Sequence, residues 1–169
     1  KLYDRKPQYT RMVDKCESKE YVAEIIGEEY IIPTLGIWNS FDEINFDILP
    51  NKFVIKTNHS GGGSGVIICK DKSKLDKNYV KYKLEKSLKN SIYNSLRAWP
   101  YKNVVPKIIA EQLLETDEKY GLLDYKVFCF NGEPKLIKVN YHVKGNYRVN
   151  WYDVNWNRVY GTTIYDPTD

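Results

Sequence analysis

The sequence has no long hydrophobic run and few of the residues that bind metals or form disulfides. Its apolar runs, such as residues 66–69, fall far short of the ~20 residues that a membrane-spanning helix needs. The three cysteines, Cys16, Cys69 and Cys129, form no Cys-x-x-Cys pair, and their odd number argues against a disulfide framework. With only two histidines, a structural zinc site is not expected. These absences predict a reducing compartment, and we expect a cytoplasmic location.

The amino-acid composition indicates a folded chain with a modest excess of positive charge. The 169 residues are 42% hydrophobic and 14% aromatic, which is enough for a core and excludes a wholly disordered chain. Lysine and arginine number 26 against 22 acidic residues, which gives a net charge of +4. Lysines recur from Lys70 to Lys89, but Asp71, Asp76 and Glu85 interrupt them. This pattern favours a solvated helix face, and we expect no nucleic-acid partner.

The residue patterns predict an α+β fold with mainly antiparallel strands and flanking helices. In the first half they predict a helix over Ser18–Ile26 with Ser18 as its N-cap, strands over Phe53–Thr57 and Val66–Cys69, and one long helical stretch from Asp71 to about Ala98. In the second half they predict strands over Lys107–Glu115, Asp124–Phe130, Glu133–Tyr141 and Tyr147–Asp153, with a polar loop at residues 116–121.

The dipeptide Asn131-Gly132 is a strong hairpin signal, because both residues accept a positive φ. A two-residue turn at this point predicts that Lys126 lies opposite Ile137 and that Asp124 lies opposite Val139. We therefore expect a carboxylate and an ammonium on an otherwise apolar strand face.

A glycine-rich loop is the clearest candidate for a ligand site. Four of the ten glycines fall in Gly61–Gly65, directly after the strand that carries Lys56. Successive backbone N–H groups in such a loop can cradle phosphate oxygens, and a lysine at the preceding strand can neutralise them. No Gly-Lys-Ser/Thr follows, and the next element is a strand, so the loop is neither a P-loop nor a dinucleotide fingerprint.

We therefore interpret the cofactor-binding residues of this loop as a flap over a triphosphate: His59, Ser60, Gly61, Gly62, Gly63, Ser64 and Gly65. Strand alternation places Lys56 on the same face as Val54 and opposite Phe53 and Ile55. The alternative is an ordinary hairpin connection without a ligand, in which His59 serves only as a hydrogen-bonding residue.

Several segments together resemble the TupA-like ATP-grasp family over nearly the whole chain. They are Tyr30–Gly36, Phe53–His59, Val66–Asp71, Trp99–Val104, Pro106–Leu114 and Asp124–Pro134. The resemblance implies an ATP-grasp-like fold, which we divide into an N-terminal segment at 1–50, a flap subdomain at 51–105 and an antiparallel-strand subdomain at 106–169. It also implies an adenine hinge, at which backbone groups of Gln112 and Leu114 meet the base.

The same resemblance implies roles for further residues. At the hinge it puts Glu111 near the exocyclic amine and Leu113 in the slot for the base. It gives Asp124 a role at the ribose and makes Lys126 a phosphate contact. Lys56 and Lys126 are then the candidate catalytic residues. Arg148 and Arg158 are candidates for binding an anionic substrate. The alternatives are an ordinary strand at Ile108–Leu114 and a local ion pair between Asp124 and Lys126.

The family resemblance also implies the cofactors ATP and Mg²⁺. No paired carboxylates suited to magnesium occur in the sequence, since Asp153 and Asp166 are isolated. The chain also begins without an initiator methionine and stops without a closing element. We expect a chain that is incomplete at its C-terminus, with metal-binding strands beyond Asp169.

The resemblance implies an ATP-dependent carboxylate–amine ligase of bacterial cell-surface polysaccharide biosynthesis, acting through an acyl phosphate. Its partners would be ATP, a carboxylate-bearing glycan or precursor, and an amine donor. Members of the family are often labelled glycosyltransferases, so one alternative is a glycosyltransferase that uses a sugar nucleotide, although no Asp-x-Asp motif occurs. A third alternative is a non-catalytic polysaccharide-binding module that stacks sugars on Trp151, Trp156 and the tyrosines.

Overall fold

The computed structural model describes residues 3–115, 121–143, 146–161 and 167, and only the backbone of residues 142 and 143. The chain forms two compact units, residues 1–113 and residues 114–169. The divisions expected from the sequence, after residues 50 and 105, stay a prediction. Most of the loop expected at 116–121, and Asp166, lie outside the described residues.

The first unit is built on a four-stranded antiparallel sheet with the order β1-β4-β2-β3. Its strands are β1 (Thr34–Trp38), β2 (Phe53–Thr57), β3 (Ile67–Cys69) and β4 (Ile108–Gln112). The predicted strand–glycine loop–strand arrangement is confirmed, because β2 and β3 pair directly on either side of the loop. The strand predicted over Lys107–Glu115 corresponds to β4, which lies between β1 and β2.

Four helices accompany this sheet: α1 (Gln8–Val13), α2 (Glu17–Ile26), α3 (Lys77–Leu88) and α4 (Ile92–Leu96). The prediction of Ser18 as the N-cap of α2 is wrong. Cys16 occupies that position, and Ser18 lies inside the first turn, where its N–H donates to the Asp14 carbonyl at 2.8 Å. The Asp14 carboxylate also accepts from the Cys16 N–H at 2.8 Å, so this aspartate starts the helix two residues early.

The prediction of one long helix from Asp71 to Ala98 is also wrong. Asp71 caps a short 3-10 turn, Lys72–Lys74, and Asp76 then caps α3 by accepting from two backbone N–H groups. Ser91 has an extended backbone with φ −122°, which separates α3 from α4. Side-chain caps at Asp71 and Asp76, and the extended backbone at Ser91, therefore divide a stretch whose apolar spacing favours a continuous helix.

The core of the first unit lies between the sheet and α3. Phe53 and Ile55 of β2 are fully buried and belong to one cluster with Ile108, Val80 and Leu84. Burial alternates along β2, so Lys56 lies on the other face with Val54, as predicted. The alternation thus fixes the face of the sheet to which the Lys56 side chain belongs.

The second unit is a four-stranded antiparallel sheet with the order β5-β6-β7-β8. Its strands are β5 (Asp124–Phe130), β6 (Glu133–Val143), β7 (Asn146–Tyr152) and β8 (Arg158–Val159). Asn131 and Gly132 have φ 51° and 81°, which confirms the predicted turn between β5 and β6. With the helices and sheet of the first unit, this sheet confirms the α+β class.

The predicted register of β5 and β6 is wrong by one residue. Lys126 lies opposite Lys138, and Asp124 lies opposite Asn140. The pairing shifts at an irregularity between Phe128 and Cys129, where Lys135 is an extra residue on β6. The expected Ile137 and Val139 therefore face the other side of the sheet.

No helix in the described parts of the chain is both long enough and apolar enough to cross a membrane.

Candidate functional site

Lys56 and Glu111 form the centre of a buried charged cluster on adjacent strands. Glu111 of β4 pairs with Val54 of β2, two positions before Lys56 on the same face. One oxygen of the Glu111 carboxylate contacts Lys56 Nζ, and the other lies 2.9 Å from Lys19 Nζ of α2. The Glu111 side chain is only 5% exposed, so these two ammonium groups are its counter-ions inside the protein.

A third lysine joins this cluster at the root of the glycine flap. Lys15 lies just before α2, and its backbone N–H donates to the Asn58 carbonyl at 3.1 Å. Its Nζ donates to the same carbonyl at 3.2 Å and to the Ser60 carbonyl. Lys15 is half-buried, and its ammonium is close enough to Lys56 for the two charges to repel each other.

The electrostatics of the cluster follow from this geometry. Burial, and then the neighbouring Lys56, lower the pKa of the Lys15 ammonium. Burial acts to raise the pKa of the Glu111 carboxyl, but the ion pairs with Lys19 and Lys56 outweigh it and lower that pKa. The ammonium groups of Lys15, Lys19 and Lys56 thus lie near two carboxylates, Glu111 and Asp14, so positive charge is in excess beside the flap for an anionic ligand.

The sequence interpretation missed Lys15 and Lys19, because it assigned no role to the N-terminal segment. A signal was available: the two lysines are four residues apart around the start of α2, a spacing that favours one helix face. Their proximity to Lys56, however, depends on how α2 packs against the sheet, and no local pattern shows this.

The glycine flap is a tight loop between β2 and β3. Gly62, Gly63 and Gly65 have φ values of 61°, 76° and 71°, a region in which other residues are strained. A Cβ on Gly65 would overlap the Ser87 hydroxyl, whereas one on Gly62 would meet no atom within 4 Å. The absence of a side chain at Gly65 therefore allows the loop to pack closely against α3, whereas Gly62 borders open space at the tip of the loop.

His59 is not positioned to line a phosphate site in this structure. Its side chain is buried, with Nε2 2.8 Å from the Asn90 carbonyl and Nδ1 3.1 Å from Asn58 Oδ1. Asn58 is itself held, since its Nδ2 donates to Asp14 Oδ2 at 3.0 Å and to the Val105 carbonyl at 2.9 Å. His59 and Asn58 thus brace the root of the flap, which agrees with the hydrogen-bonding alternative for His59.

A cavity of about 790 Å³ lies between the flap and the junction of α3 and α4. From the flap, Ser60, Gly61, Gly62 and Ser64 line it, but Lys56 does not. The Thr57 hydroxyl is 2.7 Å from Ser87 Oγ, which also lines the cavity. Because Thr57 and Lys56 point to opposite faces of β2, the cavity and the lysine cluster lie on opposite sides of the sheet.

The expected adenine hinge follows the lysine cluster along β4. The Glu111 carboxylate is occupied by the two lysines, so it offers no free oxygen to an adenine amine in this structure. The Gln112 N–H donates to the Pro33 carbonyl at 3.0 Å and is likewise already used. Leu113 is half-buried and Leu114 is 43% exposed, so both side chains are reachable.

Asp124 and Lys126 form an exposed ion pair in the second unit. Lys126 Nζ lies 3.1 Å from Asp124 Oδ2, with the two side chains 52% and 55% exposed. Asn140 on β6 donates to the same oxygen at 2.7 Å. Slight burial acts to raise the pKa of Asp124, but the bonds from Asn140 and Lys126 lower it overall. This is the local ion pair weighed as an alternative.

Arg148 and Arg158 lie on the other face of the same sheet. Lys126 pairs with Lys138, which pairs with Trp151 of β7, so the face of Lys126 carries odd-numbered residues of β7. Arg148 Nη1 donates to the Pro167 carbonyl at 3.0 Å, and Arg158 Nη2 donates to Asn150 Oδ1 at 3.1 Å. The two arginines therefore cannot join Asp124 and Lys126 in one pocket of this unit.

The described residues do not fit a magnesium site. In that part of the chain no group of three acidic, histidine or cysteine side chains is close enough to hold an ion. The Asp153 carboxylate accepts from the backbone N–H groups of Asn155 and Asn157 and from Asn157 Nδ2, all within 2.9 Å. The Asp124 carboxylate is bonded to Lys126 and Asn140, so it is not free to bind a metal ion.

A family model described as TupA-like ATPgrasp matches residues 1–169, the whole chain. The chain belongs to the TupA-like ATP-grasp family. This membership agrees with the two antiparallel sheets and with a lysine beside a glycine flap, and it indicates nucleotide binding in general terms. No curated protein and no solved structure matches the chain.

Proposed function

We propose that this TupA-like ATP-grasp chain binds the phosphates of ATP beside the glycine flap and acts as an ATP-dependent carboxylate–amine ligase. The observation that supports this proposal is the cluster of Lys15, Lys19 and Lys56 at the flap root, in which Glu111 pairs with Lys19 and Lys56. Three ammonium groups near the two carboxylates of Glu111 and Asp14 leave an excess of positive charge that favours a polyphosphate.

The chain's own residues would act mainly by positioning and electrostatics. Glu111 holds the Lys19 and Lys56 ammonium groups in place before a ligand arrives, so little reorganisation is needed on binding. Phosphate oxygens would then share these ammonium groups with the carboxylate, while N–H groups of the flap tip contribute further donors. The ribose role of Asp124 and the phosphate role of Lys126 remain predictions, as does a role for Arg148 and Arg158 with substrate.

The proposed reaction has two steps. A carboxylate oxygen of the acceptor attacks the γ-phosphorus of ATP, so that an O–P bond forms, the bond to ADP breaks, and ADP leaves. An amine then attacks the carbonyl carbon of the acyl phosphate, the C–N bond forms, inorganic phosphate leaves, and the nitrogen loses a proton. The proposed acceptor is a carboxylate-bearing glycan or precursor of cell-surface polysaccharide.

Trapping of the acyl phosphate tests this reaction directly. The full chain is incubated with ATP, Mg²⁺ and a panel of sugar acids in the presence of hydroxylamine, which converts acyl phosphates into hydroxamates. We expect a hydroxamate and an equal amount of ADP, both lost in Lys56→Gln and retained in Lys74→Gln, a change at an 83%-exposed lysine. ADP released at the same rate without any carboxylate would contradict the ligase proposal.

A thermal-shift comparison separates the alternatives. We expect ATP to raise the melting temperature, because a ligand that binds only the folded state stabilises it. Stabilisation by UDP-sugars but not by ATP would support the glycosyltransferase alternative and contradict ours. Stabilisation by acidic polysaccharide alone would support the binding-module alternative.

A further inference from the structure

The cavity between the flap and the α3–α4 junction is large enough for a small organic ligand. Its volume of about 790 Å³ lies within the range of about 300–1,000 Å³ that is usual for ligand sites. Five serines and two asparagines are among its lining residues. Hydroxyl and carboxamide groups both donate and accept hydrogen bonds, so they complement a ligand that does the same.

The charge of this lining differs from that of the lysine cluster. Among the described residues, Lys89 is the single charged one that lines the cavity, and its charge is positive. A polyphosphate carries several negative charges, and one partly solvated lysine does not balance them. A neutral or singly charged ligand fits this lining, whereas the phosphates of a nucleotide fit the cluster on the other side of β2.

Several polar groups of the lining are available to a ligand. Ser91 occupies the N-cap position of α4, yet its hydroxyl makes no capping bond. Asn94 and Lys89 are exposed, and neither side chain makes a hydrogen bond or ion pair within the described residues. By contrast, the hydroxyl of Ser87 is committed to Thr57, and that of Ser95 to carbonyls of its own helix.

The same cavity has a non-polar side and a close backbone approach. Ile92 and Leu96 line it from α4, and the Leu96 side chain is 69% exposed. Gly61 and Gly62 line it from the flap without side chains, so a ligand can lie directly against their backbone. A ring with hydroxyl groups at its edge and C–H groups on its face matches both halves of this lining.

We propose that this cavity binds a single sugar unit carrying at most one negative charge. The inference goes beyond the proposed function, because a sugar in this cavity lies on the other side of the sheet from the lysine cluster and does not reach the nucleotide phosphates. Ser91 and Asn94 hydrogen-bond its hydroxyls, and Lys89 contacts an acidic group where the sugar has one. The flap, which borders both the cavity and the lysine cluster, separates the sugar from the nucleotide phosphates.

Amide chemical shifts of the ¹⁵N-labelled chain test this assignment. The probes are methyl β-D-glucopyranoside, D-glucuronate and inorganic tripolyphosphate, each titrated alone. We expect both sugars to shift amides of residues 89–96, and tripolyphosphate to shift those of the flap and of Lys15, Lys19 and Lys56 but to leave residues 89–96 unchanged. Tripolyphosphate shifts confined to the cavity, or sugar shifts that avoid it, overturn the proposal.

Matched variants make the test specific. We expect Asn94→Leu to weaken both sugars by at least about fivefold, the effect of losing one hydrogen bond. Lys89→Gln should weaken D-glucuronate but leave the uncharged glucoside unchanged. Asn78→Leu, an exposed asparagine of α3 outside the cavity, is the control and should change neither. Equal weakening by Asn94→Leu and Asn78→Leu contradicts the assignment.

The outcome also separates this inference from the proposed function. Sugar shifts that map to the cavity without any ATP binding would contradict the nucleotide proposal and retain the sugar site. ATP binding that depends on Lys56, without sugar shifts in the cavity, would overturn the sugar site and retain the nucleotide proposal.

Discussion

Glu111 is the residue on which the arrangement of the lysine cluster depends. Both of its carboxylate oxygens face ammonium groups, and its side chain is 5% exposed. We expect Glu111→Gln to lower the free energy of unfolding at pH 7 by about 3 kcal/mol. This value is at the lower end of the loss that is usual when a buried ion pair is broken, because the lysines are partly exposed. Urea denaturation of both proteins measures this difference.

The same substitution has a predictable dependence on pH. The pKa of Glu111 is lower in the folded protein, so its contribution to stability is complete above the unfolded pKa of about 4.3 and is lost as the pH falls through the folded pKa. We therefore expect the difference between the two proteins to shrink at about pH 3. A difference that stays constant from pH 7 to pH 3 would show that the carboxylate charge is not what stabilises the cluster.

The three cysteines differ in reactivity for reasons visible in their surroundings. Burial raises the pKa of the Cys16 thiol to about 11 and also raises that of Cys69, whereas Cys129 is exposed. Because the thiolate is the nucleophile, we expect iodoacetamide at pH 8 to alkylate Cys129 first. Peptide mass spectrometry over a time course measures the order, and faster modification of Cys16 would contradict the buried position of this thiol.

The flap is the element whose packing most constrains its sequence. We expect Gly65→Ala to destabilise the protein by about 2–4 kcal/mol, because the new Cβ overlaps the buried Ser87 hydroxyl and φ is positive. The control is Gly62→Ala, where φ is also positive but the space is open, and we expect it to cost only about 1 kcal/mol. Chemical denaturation measures both, and equal losses would contradict the close contact with α3.

The sequence predicts elements well where strong local signals agree. Alternation over β2, the Asn131-Gly132 turn and the glycine loop all gave correct elements, because each signal is contained within a few residues. It failed over the stretch from Asp71 to Ala98, where Asp76 starts α3 and the extended backbone at Ser91 separates α3 from α4. It also failed at the β5–β6 register, where the extra residue Lys135 on β6 shifts the strands by one residue.

The candidate site was predictable only in part for the same physical reason. Lys56 and the flap lie close together in sequence, so a local pattern shows them. The contacts of Lys15 and Lys19 with this site, and the engagement of Glu111 by lysines, are tertiary contacts between distant segments. The cavity beside the flap likewise depends on the turn from α3 into α4. The helical spacing of the apolar residues predicts a continuous helix there and therefore does not show this turn.

At the scale of the whole molecule, each unit contributes a sheet with a separate set of polar residues. The first unit holds the lysine cluster on one side of its sheet and the cavity on the other. The second unit holds Asp124 and Lys126 on one face and both arginines on the opposite face. We therefore propose that the nucleotide phosphates bind to the first unit, where lysine ammonium groups lie around a buried carboxylate.

The affinity for ATP tests this assignment most directly, measured by isothermal titration calorimetry on the wild-type chain and three variants. We expect Lys56→Gln to weaken ATP binding by at least about tenfold, the effect of losing one charge-assisted contact. Lys56→Arg, which keeps the charge, and Lys74→Gln, which removes an exposed one, should bind nearly as the wild type does. Equal ATP affinity in all four proteins, each folded by circular dichroism, would contradict the role of the lysine cluster.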